Sequence, residues 1–252
     1  MKMKDDYGYF EAVLKNLRQI DETQQTNIEA AAELMAEAIG QDRLISVYGG
    51  GGHTTLPVGE MFFRAGGLAN INPIMETGLS VFNQALKYLE LERTVNYGSA
   101  ILRYYDLREG DLLIIFHNIG INPATIDCAE EAKKRGCKII AVASSAWQEQ
   151  MPKDHSIRHP NGKNLFDYAD IRIDDFNPVG DAVVNVPGFG TPIGPVSNIA
   201  DFYIAHQLEI ACVRKCLEKG IAPPVWKSAN VPGGDAQNKR LIEKYRSRVK
   251  ML

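Results

Sequence analysis

Residues 112–122, LLIIFHNIGIN, are an apolar run that stops at His117, crosses a polar turn containing one glycine, and ends on Asn122-Pro123. Five apolar residues without polar alternation are the pattern of a strand covered on both faces. Asn122 suits the N-cap of a following helix, and Pro123 suits its first position, where a backbone N–H is not needed. The stretch therefore predicts a buried strand that empties into a helix through a short turn, the repeating unit of a parallel sheet.

The same unit recurs along the chain. The helix expected over 123–135 carries Lys133, Lys134 and Arg135 in its last turn and Gly136 just past it, a well-formed stop. It leads into 138–143, KIIAVA, a second continuous apolar run. Residues 44–48 (LISVY) read as the first strand, 68–74 (LANINPI) as a weaker second and 171–173 (IRI) as a short fifth. Helical spacing marks 57–64, 81–90, 96–105 and 196–218, with Gly220 and Pro223-Pro224 ending the last. Before the first strand, Phe10, Val13, Leu14 and Leu17 form one helical stripe and Ile28, Ala31, Leu34, Met35 and Ala38 another, with a break at Asp21-Glu22-Thr23. Strands alternating with helices imply an α/β fold, with right-handed crossovers placing helices on both faces of the sheet. No composition shift divides the chain. One domain over 1–252 is expected: a helical extension over 1–40, a sheet core over 41–220, and a tail with a helix over 221–252.

Composition narrows the function. The 252 residues are 45% hydrophobic and 23% charged, with a formal charge of −3, which gives no electrostatic reason to expect nucleic acid. The basic residues of KRLIEKYRSRVK read as a solvated helix face. No apolar run approaches the ~20 residues that cross a bilayer, and MKMKDDYGYF does not resemble a signal peptide. Cys128, Cys137, Cys212 and Cys216 form no CxxC pair, so a reducing cytoplasm is the expected compartment. Cys212 and Cys216 share a helix face, where two small core residues are expected in place of a metal pair.

In an open parallel sheet, ligands gather beyond the carboxyl ends of the strands. Two loops there stand out. The first, YGGGGHTTLPVGE over 48–60, has four consecutive glycines; Gly50, Gly51 and Gly52 let the backbone approach a ligand without Cβ obstruction. Thr54 or Thr55 can cap the next helix, whose free N–H groups favour an anion. The spacing is not GxGxxG, the second strand has Asn70 and Asn72 nearer its end than the acid Glu76, and no GxxxxGK[ST] occurs. NAD and ATP are therefore not expected, and no other cofactor is. The second loop is the 117–122 turn, an anion seat by geometry.

The matching stretches GGGGHTTLPVGEMFFRAGGL, NIGINPATIDCAEEAKKRGCKIIAVAS, RHPNGKNLFDYADIRID, NPVGDAVV, IGPVSN and PPVWKSANVPGGDAQN resemble the SIS (sugar isomerase) domain family, in particular a phosphoheptose-isomerase-like bacterial branch. The resemblance implies a flavodoxin-like α/β/α sandwich with a five-stranded parallel sheet. It also implies dimers or tetramers with sugar-phosphate sites near subunit interfaces. In that family the turn after the third strand typically reads SxSGxT. Here its positions fall on His117, Asn118, Ile119, Gly120, Ile121 and Asn122. Three hydroxyl donors are gone, each worth roughly 1.5–3 kcal/mol against a charged ligand, so another ligand, or other donors, are expected.

Aldose–ketose isomerisation needs a base to move a proton between C1 and C2 and a group to shuttle hydroxyl protons. Glu60, at a position matching a family glutamate, is the candidate base, with pairing to Arg64 one turn later as its alternative. His53, in the glycine loop, is the candidate polar helper. His206, on the long helix, joins them because some family isomerases use a histidine from a late helix; a core or interface histidine is the alternative. Arg158, His159 and Lys163 are expected as a cationic rim, Ser144 and Ser145 as hydroxyls after the fourth strand, Ser197 with Asn198 at the start of the long helix, and Asp181 as a loop organiser. Some heptose isomerases of this fold bind zinc, but no HxxxH or HxxE spacing occurs here and no metal is expected. The function implied is isomerisation of a sugar phosphate or another acidic sugar. A related etherase or deaminase, or a sensor that binds without turnover, is the alternative.

Overall fold

The computed structural model describes residues 8–252; the first seven positions of the expected helical extension lie outside the described residues. Five strands, β1 (Ile45–Gly49), β2 (Ile71–Ile74), β3 (Leu112–Phe116), β4 (Lys138–Ala143) and β5 (Ile171–Asp174), pair in the order β2-β1-β3-β4-β5. Every pairing in this sheet is parallel. This is the flavodoxin-like order, with its switch point between β1 and β3.

Successive side chains go to opposite faces, and each face is covered. Val47, Ile114, Phe116 and Val142 are buried on one side with α2 (Gln25–Gly40), α3 (Thr55–Met61) and α8 (Ser197–Glu218). Tyr48, Leu113, Ile115 and Ala141 are buried on the other with α5 (Tyr97–Tyr105) and α6 (Pro123–Lys134). Double coverage is the reason that β3 and β4 read as unbroken apolar runs. Ala31, Ala32 and Ala36 of α2 are fully buried and let that helix approach α8 closely, so α2 is part of the sheet's cover. A smaller core gathers Ala69, Trp226, Tyr245 and Val249 around α9 (Gly234–Tyr245).

Boundaries differ from expectation where the chain makes non-local bonds or bends. β2 starts at Ile71 because Ala69 N–H donates to Pro224 O at 2.6 Å and Trp226 N–H to Gly67 O at 3.0 Å, drawing 67–69 to the C-terminal segment. α1 (Tyr9–Thr23) gives way to α2 at Gln24, past the expected break. α3 stops at Met61 because Phe62 is extended and Phe63 has a φ of 52°. The helix expected over 81–90 is a 3-10 turn, Val81–Asn83, then α4 (Ala85–Glu92), separated by Gln84 at φ 132°. Unforeseen are α7 (Ser145–Gln150) and the antiparallel hairpin β6 (Ala182–Val184) and β7 (Ile193–Pro195). All four cysteines are buried and unpaired. No helix among the described residues is long and apolar enough to cross a membrane.

Candidate functional site

β1 is hydrogen-bonded to β2 on one side and β3 on the other, so the chain leaves these two neighbours toward opposite ends of the sheet. Diverging crossovers open a crevice at their carboxyl ends, and both loops singled out above border it.

The glycine loop is closed by its own threonines. Thr54 Oγ1 accepts from Gly51 N–H at 3.1 Å and donates to Gly51 O at 2.7 Å; Thr55 Oγ1 donates to Gly52 O at 2.8 Å. Neither hydroxyl caps α3, contrary to expectation, because both are used inside the turn. Gly50 is required by contact: a Cβ there would lie 1.8 Å from Thr125 Oγ1. Gly50→Ala is expected to cost about 1–3 kcal/mol by overpacking, measured by urea unfolding; an unmoved midpoint would show that the loop yields freely.

The 117–122 turn is held by an imidazole. Gly120, at φ 65°, donates its N–H to His117 Nδ1 at 2.8 Å, so the ring hydrogen sits on Nε2. Burial holds the His117 imidazole down to about 4, and the ring is neutral. Asn118 Nδ2 donates to Asp175 Oδ2 at 2.9 Å and to Asp201 Oδ2 at 3.0 Å. Both carboxyls are fully buried. Burial pushes Asp175 up to about 7, and burial together with the Asp175 charge pushes Asp201 well above the usual range. Among the described residues, the N–H groups of Asn118 and Ile119 have no acceptor.

These turns line one cleft of about 360 Å³, within the ~300–1,000 Å³ of small-molecule sites. Of the residues foreseen from the sequence, Gly51, Gly52, His53, Thr54, His117, Asn118 and Ser197 line it. Tyr88, Glu92 and Arg93 of the α4 region, Trp147, Asn177 and Asp181 were not foreseen as lining. Glu92 is 7% exposed. Burial raises its carboxyl to about 7 against the opposing pull of the Arg93 charge and a hydrogen bond from the Asn122 side chain. An acid in the last turn of a helix opposes the helix dipole, the one signal that could have marked it in the sequence. Asp181 does organise a loop: it accepts from Val196 N–H and Ser197 N–H, each at 3.0 Å, and from Ser197 Oγ at 2.8 Å. The start of α8 is thus already held by the chain's own carboxylate, and the Ser197 hydroxyl is engaged.

Several expectations are corrected. Glu60 and His206 do not line the cleft. They meet each other instead, His206 Nε2 lying 3.1 Å from Glu60 Oε1, and Arg64 Nε reaches the same oxygen at 2.7 Å. His206 Nδ1 lies 3.4 Å from Glu209 Oε2, so the two ring nitrogens face different carboxyls. Among the described residues, no three His, Cys, Asp or Glu side chains form a group able to hold a metal, and the residues do not fit the zinc of some heptose isomerases. Ser144 is fully buried, donating to Asn177 O at 2.6 Å, and Ser145 N–H is directed to Asp174 Oδ1 at 3.2 Å; neither reaches the cleft.

The cationic rim is also absent. Arg158 is buried and bonds Gln148 O, Met151 O, Pro152 O and Asn164 Oδ1, while His159 Nε2 lies 3.1 Å from the buried Asp127. Lys163 sits over the Tyr168 ring at 5.1 Å. Gly50, Gly120 and Asn122 lie beneath the cleft, in its framework and outside its lining.

Comparison with known proteins agrees with this architecture. A family model described as the SIS domain matches residues 8–144. A UPF0309 protein of Caldanaerobacter subterraneus is 37% identical over 97% of this chain and 98% of its own length. A second, from Thermoanaerobacter pseudethanolicus, is 38% identical over 97% and 98%. Among solved structures, a phosphoheptose isomerase from Neisseria gonorrhoeae superposes with a TM-score of 0.53 at 13% identity, over 81% of this chain and 95% of that one; at that identity the likeness is one of fold. With the sheet order, the switch-point cleft and these matches in agreement, the chain belongs to the SIS domain family, together with the UPF0309 proteins.

Proposed function

We propose that the cleft binds a small phosphorylated or otherwise acidic sugar derivative and that the protein interconverts its aldose and ketose forms through an enediol. The observation that carries this reading is the meeting of the glycine loop and the 117–122 turn on one cleft at the switch point, with the Asn118 and Ile119 N–H groups unengaged. Such groups are ready donors to an anion. The acidic group rests on these amides in place of the family's serine hydroxyls, and Arg93, which lines the cleft and is exposed, supplies the positive charge. His53 is the polar helper at the rim. A second copy of the chain covers the exposed Phe63 and Ile210, and the protein works in a reducing cytoplasm, in keeping with its unpaired thiols. A thermal-shift screen over sugar phosphates, sugar sulfonates and free sugars tests the reading. Sugar phosphates at a hundred times their Kd are expected to stabilise the fold by about 2.7 kcal/mol and free sugars far less; a screen without any responsive acidic sugar would remove the proposal.

A further inference from the structure

The proposed isomerisation needs a base in the cleft, and Glu60, foreseen for that task, is turned away to Arg64 and His206. The cleft has its own carboxyl. Glu92 closes α4 and is almost entirely buried, yet it borders the cleft. Around Gly51 two functional atoms converge: a Cβ on that residue would lie 2.4 Å from Glu92 Oε2 and 3.4 Å from His117 Nε2. Because the residue is glycine, the Glu92 carboxyl and the His117 imidazole both close on the same point of the loop backbone with no side chain between them, and both border the cleft.

Resting on the isomerase reading above, we propose that Glu92 is the catalytic base of this cleft and His117 its electrophile, the two bordering the cleft on either side of Gly51 with no side chain between them. The Glu92 carboxylate removes the proton from C2 of the aldose. The C–H electron pair forms the C1–C2 double bond, and the carbonyl pair moves to O1. His117 Nε2–H polarises O1, gives it the ring proton, and takes the O2 proton in exchange, so the imidazole ends as it began. Glu92 then returns its proton to C1, and the ketose is complete with no atom gained or lost. The hydrogen bond from Gly120 N–H to His117 Nδ1 fixes the tautomer that this role requires, and the neutrality of the ring keeps it a donor at working pH.

The charge state of the base follows from everything packed against it. Arg93 adjoins it on α4, Tyr88 lies one turn earlier on the same helix, Asn122 reaches it from the start of α6, and His117 and His53 face the cleft from the two turns. Burial outweighs the Arg93 charge, leaving a carboxyl that titrates near about 7, well matched to reversible proton transfer at neutral pH.

The experiment is solvent-deuterium exchange into C1 and C2 of fructose 6-phosphate, ribose 5-phosphate and sedoheptulose 7-phosphate, followed by NMR, with binding of the same compounds read by calorimetry. Wild-type protein is expected to exchange at least one of them, with a rate that rises with pH through about 7. Glu92→Gln is expected to slow exchange by about 10²–10⁴-fold while binding changes by less than about threefold. Its unfolding midpoint serves as the folding control. Ready exchange in Glu92→Gln, with wild type active, overturns the assignment and leaves the isomerase reading standing. Binding and exchange both absent from wild type remove that reading and this assignment with it.

Discussion

Replacing Asn118 by alanine is expected to cost about 3–5 kcal/mol of folding stability at pH 8, and clearly less at pH 5. One amide nitrogen donates to two carboxyls, Asp175 at 2.9 Å and Asp201 at 3.0 Å, both shut away from water. A hydrogen bond to an ionised group contributes roughly 1.5–3 kcal/mol, and here two are lost together. The pH dependence has a definite sign. Both carboxyls hold their protons more tightly in the folded chain than unfolded. The stability tied to those protons is therefore full below the ordinary aspartate value and drains away as pH rises past Asp175's value of about 7. The amide matters most where the pair is being forced to ionise. Urea unfolding at the two pH values gives the comparison, and an equal loss at both would show that Asn118 acts only as packing.

Glu92→Gln should make the protein more stable at pH 8, by about 1–3 kcal/mol, and leave it unchanged near pH 4.5. In the unfolded chain the glutamate titrates near its ordinary 4.5; in the folded chain burial raises it to about 7. Below 4.5 both states are protonated and the carboxyl is neutral in each. Between the two values the unfolded chain releases a proton that the folded chain keeps, so stability falls as pH rises. Above about 7 the loss is complete. Glutamine has nearly the same shape and never ionises, so it escapes the loss. A variant that gains stability and loses proton transfer separates a functional carboxyl from a merely tolerated one, since functional groups are often held against the interests of stability. A thermal midpoint at or below wild type at pH 8 would show that Glu92 is more solvated than its burial indicates.

The parts of the fold that were legible are those governed by continuous burial. β3 and β4 were located to within a residue because strands covered on both faces show no polar interruption, and α6 because its cap, basic last turn and Gly136 agree with one another. The β6–β7 hairpin was missed because its strands are three residues each and mostly half-buried or exposed, too short to show a period. The bent start of β2 depends on hydrogen bonds to Pro224 and from Trp226, more than 150 positions away along the chain.

For the site, the two anchoring turns were legible because glycines, and an Asn-Pro after an apolar run, have local causes. Glu92 was not, because ELER looks like a solvated helix end until α4 is folded down onto the glycine loop. Arg158 and His159 misled for the opposite reason: charged residues beside a glycine suggest an exposed rim, yet here they stitch the 148–164 segment to itself and to Asp127.

The hairpin has a further consequence. It is attached to the cleft through Asp181, Pro195 and Ser197, yet Phe189 and Ile193 beside or within it are open to solvent, at 58% and 47%. Residues there can be exchanged at little thermodynamic penalty, whereas the floor, built on Gly50, His117 and Asn118, tolerates almost no change. The hairpin's open side chains and the packed floor beneath the cleft therefore differ sharply in how freely they accept substitution.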